Sequence, residues 1–327
     1  MFSKVWLRLA AVSILVLSAG ASQAQEPVVL KLEQYRKTVA ARVEVAGKPR
    51  LMLFDTGGGH TIISAQLAKD LGCVPFGKLV GFRMMGDRLD TPRCDDVGID
   101  WGGRQLVAKV TGVFDVTGLV AAGAEPIDGL LALKLFDGDV VTLDFAGLTV
   151  TIETPESLVR RIHGATPVPV HLARESGGRA LAAYLEVPTP RGPLAFELDS
   201  GNGGTILVAK DYAEALGLDP ASEGPQEGAF KVADGIEAKG IVFTPDMIID
   251  GNLGMPFLKD YLVTLDLANE RAWLRRNPTS APPGMGAAPA VKGGLAPGGR
   301  GDPPAIDWSP GAMTPDTRLW SAVSVFP

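Results

Sequence analysis

The sequence predicts an all-β protein made of two related lobes, and three observations support this. A tripeptide of aspartate, a hydroxyl residue and glycine occurs twice, at residues 55–57 and 199–201, each time after an apolar run typical of a strand. The segments around the tripeptide recur in the same order in both halves of the chain. Alternating runs bounded by turn residues fill much of the chain from residue 28 to residue 276.

Length and composition fit two modest globular domains. The chain has 327 residues, of which 46% are hydrophobic and 21% charged, as in ordinary globular proteins. The formal net charge of −6 argues against a nucleic-acid binder, for which a basic surface is expected. Two cysteines and three scattered histidines are too few for a typical zinc site. We therefore expect no metal, no other cofactor and no nucleic-acid partner.

Residues 1–24 have the features of a signal peptide. Lys4 and Arg8 form its positive region, residues 9–17 its apolar region and residues 22–24 a small-residue cleavage site. The apolar run is too short to span a bilayer, and no later run is long and apolar enough. These features predict an exported protein, periplasmic or secreted, without stable membrane insertion.

Cys73 and Cys94 are the two cysteines of the chain. Outside the cytoplasm they could form one disulfide, which would join the end of a helix to a strand beyond a hairpin. Two unpaired thiols are the alternative. The oxidising compartment alone favours the disulfide.

The first lobe is predicted at residues 25–153. Its strands include residues 41–45, which alternate between apolar and polar, and the apolar run that ends at Asp55. A short helix follows at residues 64–71, with Ser64 as its N-cap. A hairpin and further strands complete the unit.

The second lobe is predicted at residues 168–277 and repeats these elements. The best-matched segments are residues 128–144 and 250–266, which align without a gap. Residues 154–167 form a polar connector between the lobes. Residues 278–327 are predicted to form a flexible tail, because Pro, Gly and Ala dominate the segment after residue 278.

Each lobe has one hairpin of functional interest. The first carries Met85 and Gly86 at its tip, and the second carries Asp234 and Gly235, a strong hairpin-turn pair. Ordinary surface hairpins are the alternative interpretation. The two hairpins occupy matching positions in the repeat, which favours the functional interpretation.

These motifs resemble the aspartic proteases of the retropepsin-like and pepsin-like group. The resemblance covers residues 28–276 and depends on the two tripeptides and on the apolar segments that follow Asp128 and Asp250. It implies a bilobal acid-protease fold, with two β-barrel-like lobes, short helices and an active-site cleft between the lobes. The likeness is strongest to exported bacterial proteins with two retropepsin-like units fused in one chain. It implies a monomer that acts as an intramolecular pseudo-dimer.

The resemblance also implies an aspartic endopeptidase with Asp55 and Asp199 as its catalytic residues. Two adjacent carboxyls resist double ionisation, so one can activate a water molecule while the other protonates the carbonyl oxygen of a peptide bond. Gly57 and Gly201 would let the backbone pass close to the carboxyls and donate N–H bonds to them. An aspartate before Thr/Ser-Gly also makes a good turn, and two equivalent copies favour catalysis over that alternative.

The remaining predicted roles concern support and substrate. Thr56 and Ser200 would hydrogen-bond across the junction of the lobes and hold the two aspartates in register. The hairpin tips at residues 85–86 and 234–235 would fold over the cleft and bind a peptide or protein substrate in extended form.

Three features depart from the family pattern. Gly58 and Asn202 follow the tripeptides, where the family usually has Ala, Ser or Thr. The first hairpin lacks the tyrosine of pepsin-like enzymes. Asn252 occupies the place of an apolar residue, such as Leu130 in the first half. These three departures motivate an alternative, in which the protein binds peptides or acts as a scaffold, retains the fold and no longer catalyses hydrolysis.

Overall fold

The computed structural model describes residues 26–116, 123–222 and 224–288. The predicted signal peptide and residues 289–327 of the predicted tail lie outside these ranges. In chain order the strands are β1 Val28–Lys31, β2 Glu33–Tyr35, β3 Thr38–Val45, β4 Lys48–Asp55, β5 Thr61–Ile63, β6 Phe76–Phe82, β7 Arg88–Trp101, β8 Arg104–Val113, β9 Gly129–Ala132, β10 Val140–Asp144, β11 Thr149–Ile152, β12 Thr166–Val168, β13 Val170–Ala173, β14 Ala182–Val187, β15 Leu194–Leu198, β16 Ile206–Val208, β17 Gln226–Ala233, β18 Ile236–Phe243, β19 Gly251–Leu253, β20 Tyr261–Asp266 and β21 Arg271–Arg276.

Helices are short throughout the described ranges, and none of them has the length and apolar character needed to cross a bilayer. The α-helical segments are Ala65–Asp70, Pro155–Ile162, Glu175–Gly178 and Met255–Leu258, and the 3-10 turns are Leu133–Phe136, Lys210–Tyr212 and Glu214–Leu216.

The structure has two lobes whose main sheets share one topology around the tripeptides. In the first lobe the sheet order is β2-β3-β4-β9-β5-β8-β7-β6, and in the second it is β13-β14-β15-β19-β16-β18-β17. The strand before each tripeptide pairs in parallel with a later short strand, β4 with β9 and β15 with β19. The strand after each tripeptide is antiparallel to that short strand and parallel to the next one, β8 or β18. The predicted bilobal all-β fold is confirmed.

A third sheet joins the lobes, in the order β1-β11-β10-β20-β21-β12. At its centre Thr142 lies opposite Thr264, and their hydroxyl oxygens are 2.9 Å apart. These two threonines are equivalent positions of the gapless repeat. The two halves therefore meet across an approximate two-fold axis.

Aromatic side chains fill the core beneath the first tripeptide. The Phe54 ring packs edge-on against Trp101 and Phe136, with centroid distances of 5.7 and 6.3 Å. All three side chains are at most 1% exposed. Burying one such ring contributes roughly 1.5–3 kcal/mol to the free energy of unfolding. The packing therefore holds the end of β4, and with it Asp55, in a fixed position.

The helix after the first tripeptide begins as predicted, and its counterpart in the second lobe does not form. The Ser64 hydroxyl accepts a hydrogen bond of 3.1 Å from the backbone N–H of Leu67 and so caps Ala65–Asp70. In the second lobe the chain forms the 3-10 turns Lys210–Tyr212 and Glu214–Leu216, neither of which has a side-chain cap. The missing cap removes the local stabilisation that starts an α-helix.

The second hairpin does not fold over the lobe junction, so the prediction for Asp234 and Gly235 is wrong. Strand β18 pairs in parallel with β16 near Val242, as β8 pairs with β5. The β17–β18 hairpin is therefore equivalent to β7–β8 and not to the β6–β7 hairpin that carries Met85. Its turn lies about 23 Å along β18 from Val242, at about 3.3 Å per residue. There the Asp234 carbonyl accepts a bond from the Thr166 hydroxyl, on the edge of the third sheet.

The first eleven residues of the predicted flexible tail, 278–288, are bound to the body of the protein. The Gln34 side chain donates a hydrogen bond of 2.9 Å to the Pro283 carbonyl, and the Gly286 N–H donates one of 2.9 Å to the Lys37 carbonyl. Met285 is buried, at 3% exposure. The prediction of a flexible tail from residue 278 is therefore wrong for residues 278–288, which cross from the second lobe to the first.

Cys73 and Cys94 form a disulfide that ties the segment after the first helix to β7, with a sequence separation of 21. We expect the double variant Cys73→Ala/Cys94→Ala to lose about 3 kcal/mol of unfolding free energy, because the open chain gains entropy when unfolded. Denaturant titration measures this. A reductant should destabilise the wild-type protein and leave the double variant unchanged, and equal midpoints for the two proteins would contradict the expectation.

Candidate active site

Asp55 and Asp199 lie side by side where the two lobes meet. Asp55 is the last residue of β4, and Asp199 directly follows β15. Their carboxyls lie within hydrogen-bonding reach of each other. The two residues are 1% and 0% exposed. Folding thus brings together two acidic side chains from opposite halves of the chain in a site closed to bulk water.

Thr56 and Ser200 hold the two strand ends together by reciprocal hydrogen bonds. The Thr56 hydroxyl donates to the Leu198 carbonyl at 2.7 Å and accepts from the Ser200 N–H at 2.9 Å. The Ser200 hydroxyl donates to the Phe54 carbonyl at 2.7 Å and accepts from the Thr56 N–H at 3.1 Å. Both residues are fully buried. Four bonds across the lobe junction therefore fix the relative position of the aspartates.

Gly57 and Gly201 each lie against the carboxyl of the opposite lobe. A β-carbon on Gly57 would lie 2.8 Å from Cγ of Asp199, and one on Gly201 would lie 2.7 Å from Cγ of Asp55. Each glycine also donates its N–H to the aspartate of its own lobe, Gly57 to Asp55 at 3.1 Å and Gly201 to Asp199 at 2.8 Å. Any side chain at either glycine would push the carboxyls apart.

Burial and mutual repulsion favour the neutral forms of the two carboxyls. Burial raises the pKa of Asp55 to about 6. Burial, followed by the charge of Asp55, raises the pKa of Asp199 well above its ordinary value. Because two adjacent carboxyls resist double ionisation, the pair holds one proton between them and titrates as a unit. One carboxyl can then act as a base while its neighbour acts as an acid.

The buried pair predicts that the protein is more stable at mildly acidic pH than at neutral pH. The pKa of Asp55 is about 6 in the native state, against 3.8 for an ordinary aspartate. Between these values the native state binds more protons than the unfolded chain, so the unfolding free energy falls as pH rises. The stabilisation is complete below pH 3.8 and lost as pH passes 6.

The variant Asp55→Asn should reduce this pH dependence, and the part due to the buried Asp199 and Glu197 should remain. We expect a smaller slope of unfolding free energy against pH and a variant more stable than wild type at neutral pH, by on the order of 3 kcal/mol. Chemical unfolding of both proteins across this pH interval measures the difference. Parallel slopes would show that Asp55 titrates normally.

A third buried carboxyl, Glu197, also belongs to the site. The Asn252 side-chain amide donates to Oδ2 of Asp199 at 2.9 Å and to Oε2 of Glu197 at 3.2 Å. The Tyr184 hydroxyl donates to Oε1 of Glu197 at 3.3 Å. Glu197 is not among the site residues predicted from the sequence. The available signal was a glutamate in an apolar strand, two residues before the aspartate, where the first half has Leu53.

Two of the departures from the family pattern contact each other. The Asn202 amide donates to Oδ1 of Asn252 at 2.7 Å, and its own oxygen accepts from the Thr205 hydroxyl at 2.8 Å. The Asn202 N–H donates to Asp199 at 3.1 Å. Gly58, which also departs from the pattern, has little room for a side chain, since a β-carbon would lie 3.3 Å from Cγ of Asp55. The polar pair therefore satisfies its own hydrogen bonds and adds donors to Asp199.

The first hairpin reaches from the first lobe to the second. Met84 packs against Tyr184 and Ile249, and its carbonyl accepts a hydrogen bond of 2.8 Å from the Ile248 N–H. At the tip, Met85 is 44% exposed, and Gly86 has a left-handed φ of 88°. The hairpin thus lies near Glu197, with Met84 rather than Met85 making the contact between lobes.

Comparisons with known proteins bear on the fold. No family model matches the sequence, and no curated protein matches it. The basic 7S globulin of soybean has a similar structure, with a TM-score of 0.51 and 10% identity over 76% of this chain and 94% of the globulin. An aspartic proteinase from Irpex lacteus has a TM-score of 0.48 and 13% identity over 78% of this chain and 98% of the proteinase. The chain shares its overall fold with the soybean globulin.

Proposed function

We propose that this protein is an aspartic endopeptidase that hydrolyses peptide bonds with a water molecule activated by Asp55 and Asp199. The observation that carries the proposal is the close approach of the two buried carboxyls at the lobe junction, each lying against the glycine of the opposite tripeptide. The surrounding glycines and hydroxyls support it, because their positions leave little freedom for any other arrangement of the two acids.

The proposed reaction is a general acid–base hydrolysis. The ionised carboxyl of the pair takes a proton from water, and the water oxygen attacks the carbonyl carbon of the peptide bond. The protonated carboxyl gives its proton to the carbonyl oxygen. The C–N bond then breaks, the leaving nitrogen takes a proton from the pair, and one hydroxyl of the tetrahedral intermediate returns a proton to the pair. A new carboxyl and a new amine result, and the pair again holds one proton. Positioned acids and bases contribute roughly 10²–10⁴-fold each to such reactions.

Substrate entry requires a movement, because both carboxyls are buried. We assign this role to the first hairpin, whose contact with the second lobe includes a backbone hydrogen bond at Met84 and a small apolar cluster. Its displacement would admit an extended peptide or protein chain, and its return would exclude water around the reacting bond.

We also propose that the lobes are fused copies of one retropepsin-like unit, so that a single chain forms a complete site and acts as a monomer. The shared sheet topology and the facing pair Thr142 and Thr264 support duplication. The N-terminal signal-peptide pattern supports export to the periplasm or beyond, and the likeness to exported fused retropepsin-like proteins supports a bacterial source.

A second candidate is a peptide-binding or scaffold protein that retains the fold without turnover. Gly58, Asn202 and Asn252 favour it, because they replace residues usual in the protease family. The soybean neighbour also fits, since it is named as a globulin rather than as a proteinase. Binding of extended peptides without cleavage across a wide pH range would support this candidate.

Digestion of a diverse peptide library tests the proposal. The purified protein is incubated with the library from acidic to neutral pH, with and without a transition-state-mimicking inhibitor of aspartic proteases. We expect cleavage that the inhibitor blocks and a metal chelator leaves unchanged. A folded protein that cleaves nothing at any pH would reject the proposal in favour of the binding alternative.

A further inference from the structure

The mechanism proposed above leaves one buried ionisable group of the site without a role. Glu197 is 0% exposed and lies two residues before Asp199 on the same strand. One Asn252 amide nitrogen connects it to Asp199, with bonds of 3.2 and 2.9 Å. Glu197 is therefore one side chain removed from the hydrolytic pair.

The corresponding place in the first lobe is apolar. Leu53 and Leu130 occupy the positions of Glu197 and Asn252, and Ala40 faces Leu53 as Tyr184 faces Glu197. These residues of the first lobe belong to a buried hydrophobic cluster. The fold thus does not require polar side chains here. A complete set of three polar residues in the second lobe points to a role in the chemistry of the site.

Several ionisable groups face Glu197 from the elements around it. Asp55 and Asp199 contribute negative charge from the lobe junction, Tyr184 donates from β14, and Glu175 adds a more distant negative charge. Burial, followed by the charge of Asp55, raises the pKa of Glu197 well above its ordinary value, and the bonds from Asn252 and Tyr184 oppose this only in part. The cluster accordingly binds protons as a group of three.

We propose that Glu197 is a positioning residue for the hydrolytic pair. It holds the Asn252 amide on Asp199, and the negative charge of ionised Glu197 opposes the loss of the proton that Asp55 and Asp199 share. This inference rests on the proposed function. As pH rises, a negative charge on Glu197 makes further ionisation of its neighbours less favourable. The pair therefore keeps its catalytic proton to a higher pH than two aspartates would keep it alone.

The first test is the pH dependence of kcat/KM for wild type and Glu197→Gln, a variant of the same shape without the acid. We expect the alkaline limb of the variant to move to lower pH by on the order of one unit. Glu227→Gln, an exposed position of the same sheet, is the matched control and should leave the limb in place. If kcat/KM of Glu197→Gln fell by the same factor at every pH, or if its alkaline limb stayed at the wild-type pH, the inference would be overturned.

The second test needs no activity. Carbon-13 NMR of glutamate-labelled protein should show one carboxyl that titrates well above the ordinary range in wild type and is missing in Glu197→Gln. In Asp199→Asn that carboxyl should titrate at lower pH, because coupling is reciprocal. If no glutamate titrates abnormally, the inference fails even where peptides are cleaved. If the coupling is present and no peptide is cleaved, the proposed function fails instead.

Discussion

Replacing either aspartate of the pair with asparagine is expected to abolish peptide hydrolysis. An amide at position 55 or 199 cannot accept the proton of the attacking water or return one to the carbonyl oxygen. The loss should be at least about 10³-fold in kcat, since both the acid and the base function depend on the pair. The double variant should lose no more activity than either single variant, because the two carboxyls act as a unit.

Steady-state hydrolysis of one library-derived peptide measures this expectation. Asp234→Asn is the matched control, because that aspartate lies in the turn distant from the junction and its side chain is 93% exposed. It should retain wild-type kcat. Each single variant should still bind an extended inhibitor, which shows that its fold is intact. Activity that survives Asp55→Asn or Asp199→Asn would contradict the assignment.

The second large effect is expected from one added methyl group. In Gly201→Ala the new β-carbon would lie 2.7 Å from Cγ of Asp55, well inside contact distance, and the carboxyl would have to move. Displacing a catalytic group by about 1 Å can cost about 10²-fold in rate. Overpacking the buried junction should also lower the unfolding free energy by about 1–3 kcal/mol.

Gly98→Ala provides the control for this substitution. Gly98 lies in β7 with open space around its α-carbon, so an added methyl group meets nothing within 4 Å. The control should keep both stability and kcat, measured by denaturant unfolding and peptide hydrolysis. If Gly201→Ala were as active as Gly98→Ala, the carboxyl of Asp55 would not be held where the structure has it.

The fold could be predicted because the same kinds of segment occur in the same order in both halves of the chain. Two strands that each deliver an Asp-Thr/Ser-Gly tripeptide, followed in both halves by the segments at 128–144 and 250–266, predict two similar units and a shared junction. The pair Asp55 and Asp199 followed from the same repeat. Sequence alone could not predict how closely their carboxyls approach each other, because contact between two chain segments depends on how whole sheets meet.

The errors have a common physical cause, which is that local turn and composition signals do not specify position in the fold. Asp234 and Gly235 make a good hairpin turn wherever the hairpin lies, and only the parallel pairing of β18 with β16 places that turn far from the junction. The composition of residues 278–288 predicts a mobile tail. Burial of Met285 and backbone bonds to Lys37 override that preference.

Glu197 was missed for a different reason. A single polar residue in an apolar strand is compatible with a bulge, an edge or a solvated face, and periodicity does not distinguish these. The role of Glu197 depends on Asn252, which lies 55 residues later in the chain and faces Glu197 where β15 pairs with β19. The departure of Asn252 from the family pattern was visible in the sequence. Its partner became visible only in the folded chain.

Hydrolysis of a single peptide in heavy-oxygen water tests the central claim most directly. If Asp55 and Asp199 activate a water molecule, each new carboxyl made by the wild-type protein will carry one heavy oxygen. The rate will rise as pH passes through the range near 6 in which Asp55 loses its proton and becomes the base, and neither asparagine variant will form product. Product formation at equal rates by wild type and Asp199→Asn, or no product from a folded wild-type protein at any pH, would contradict the account.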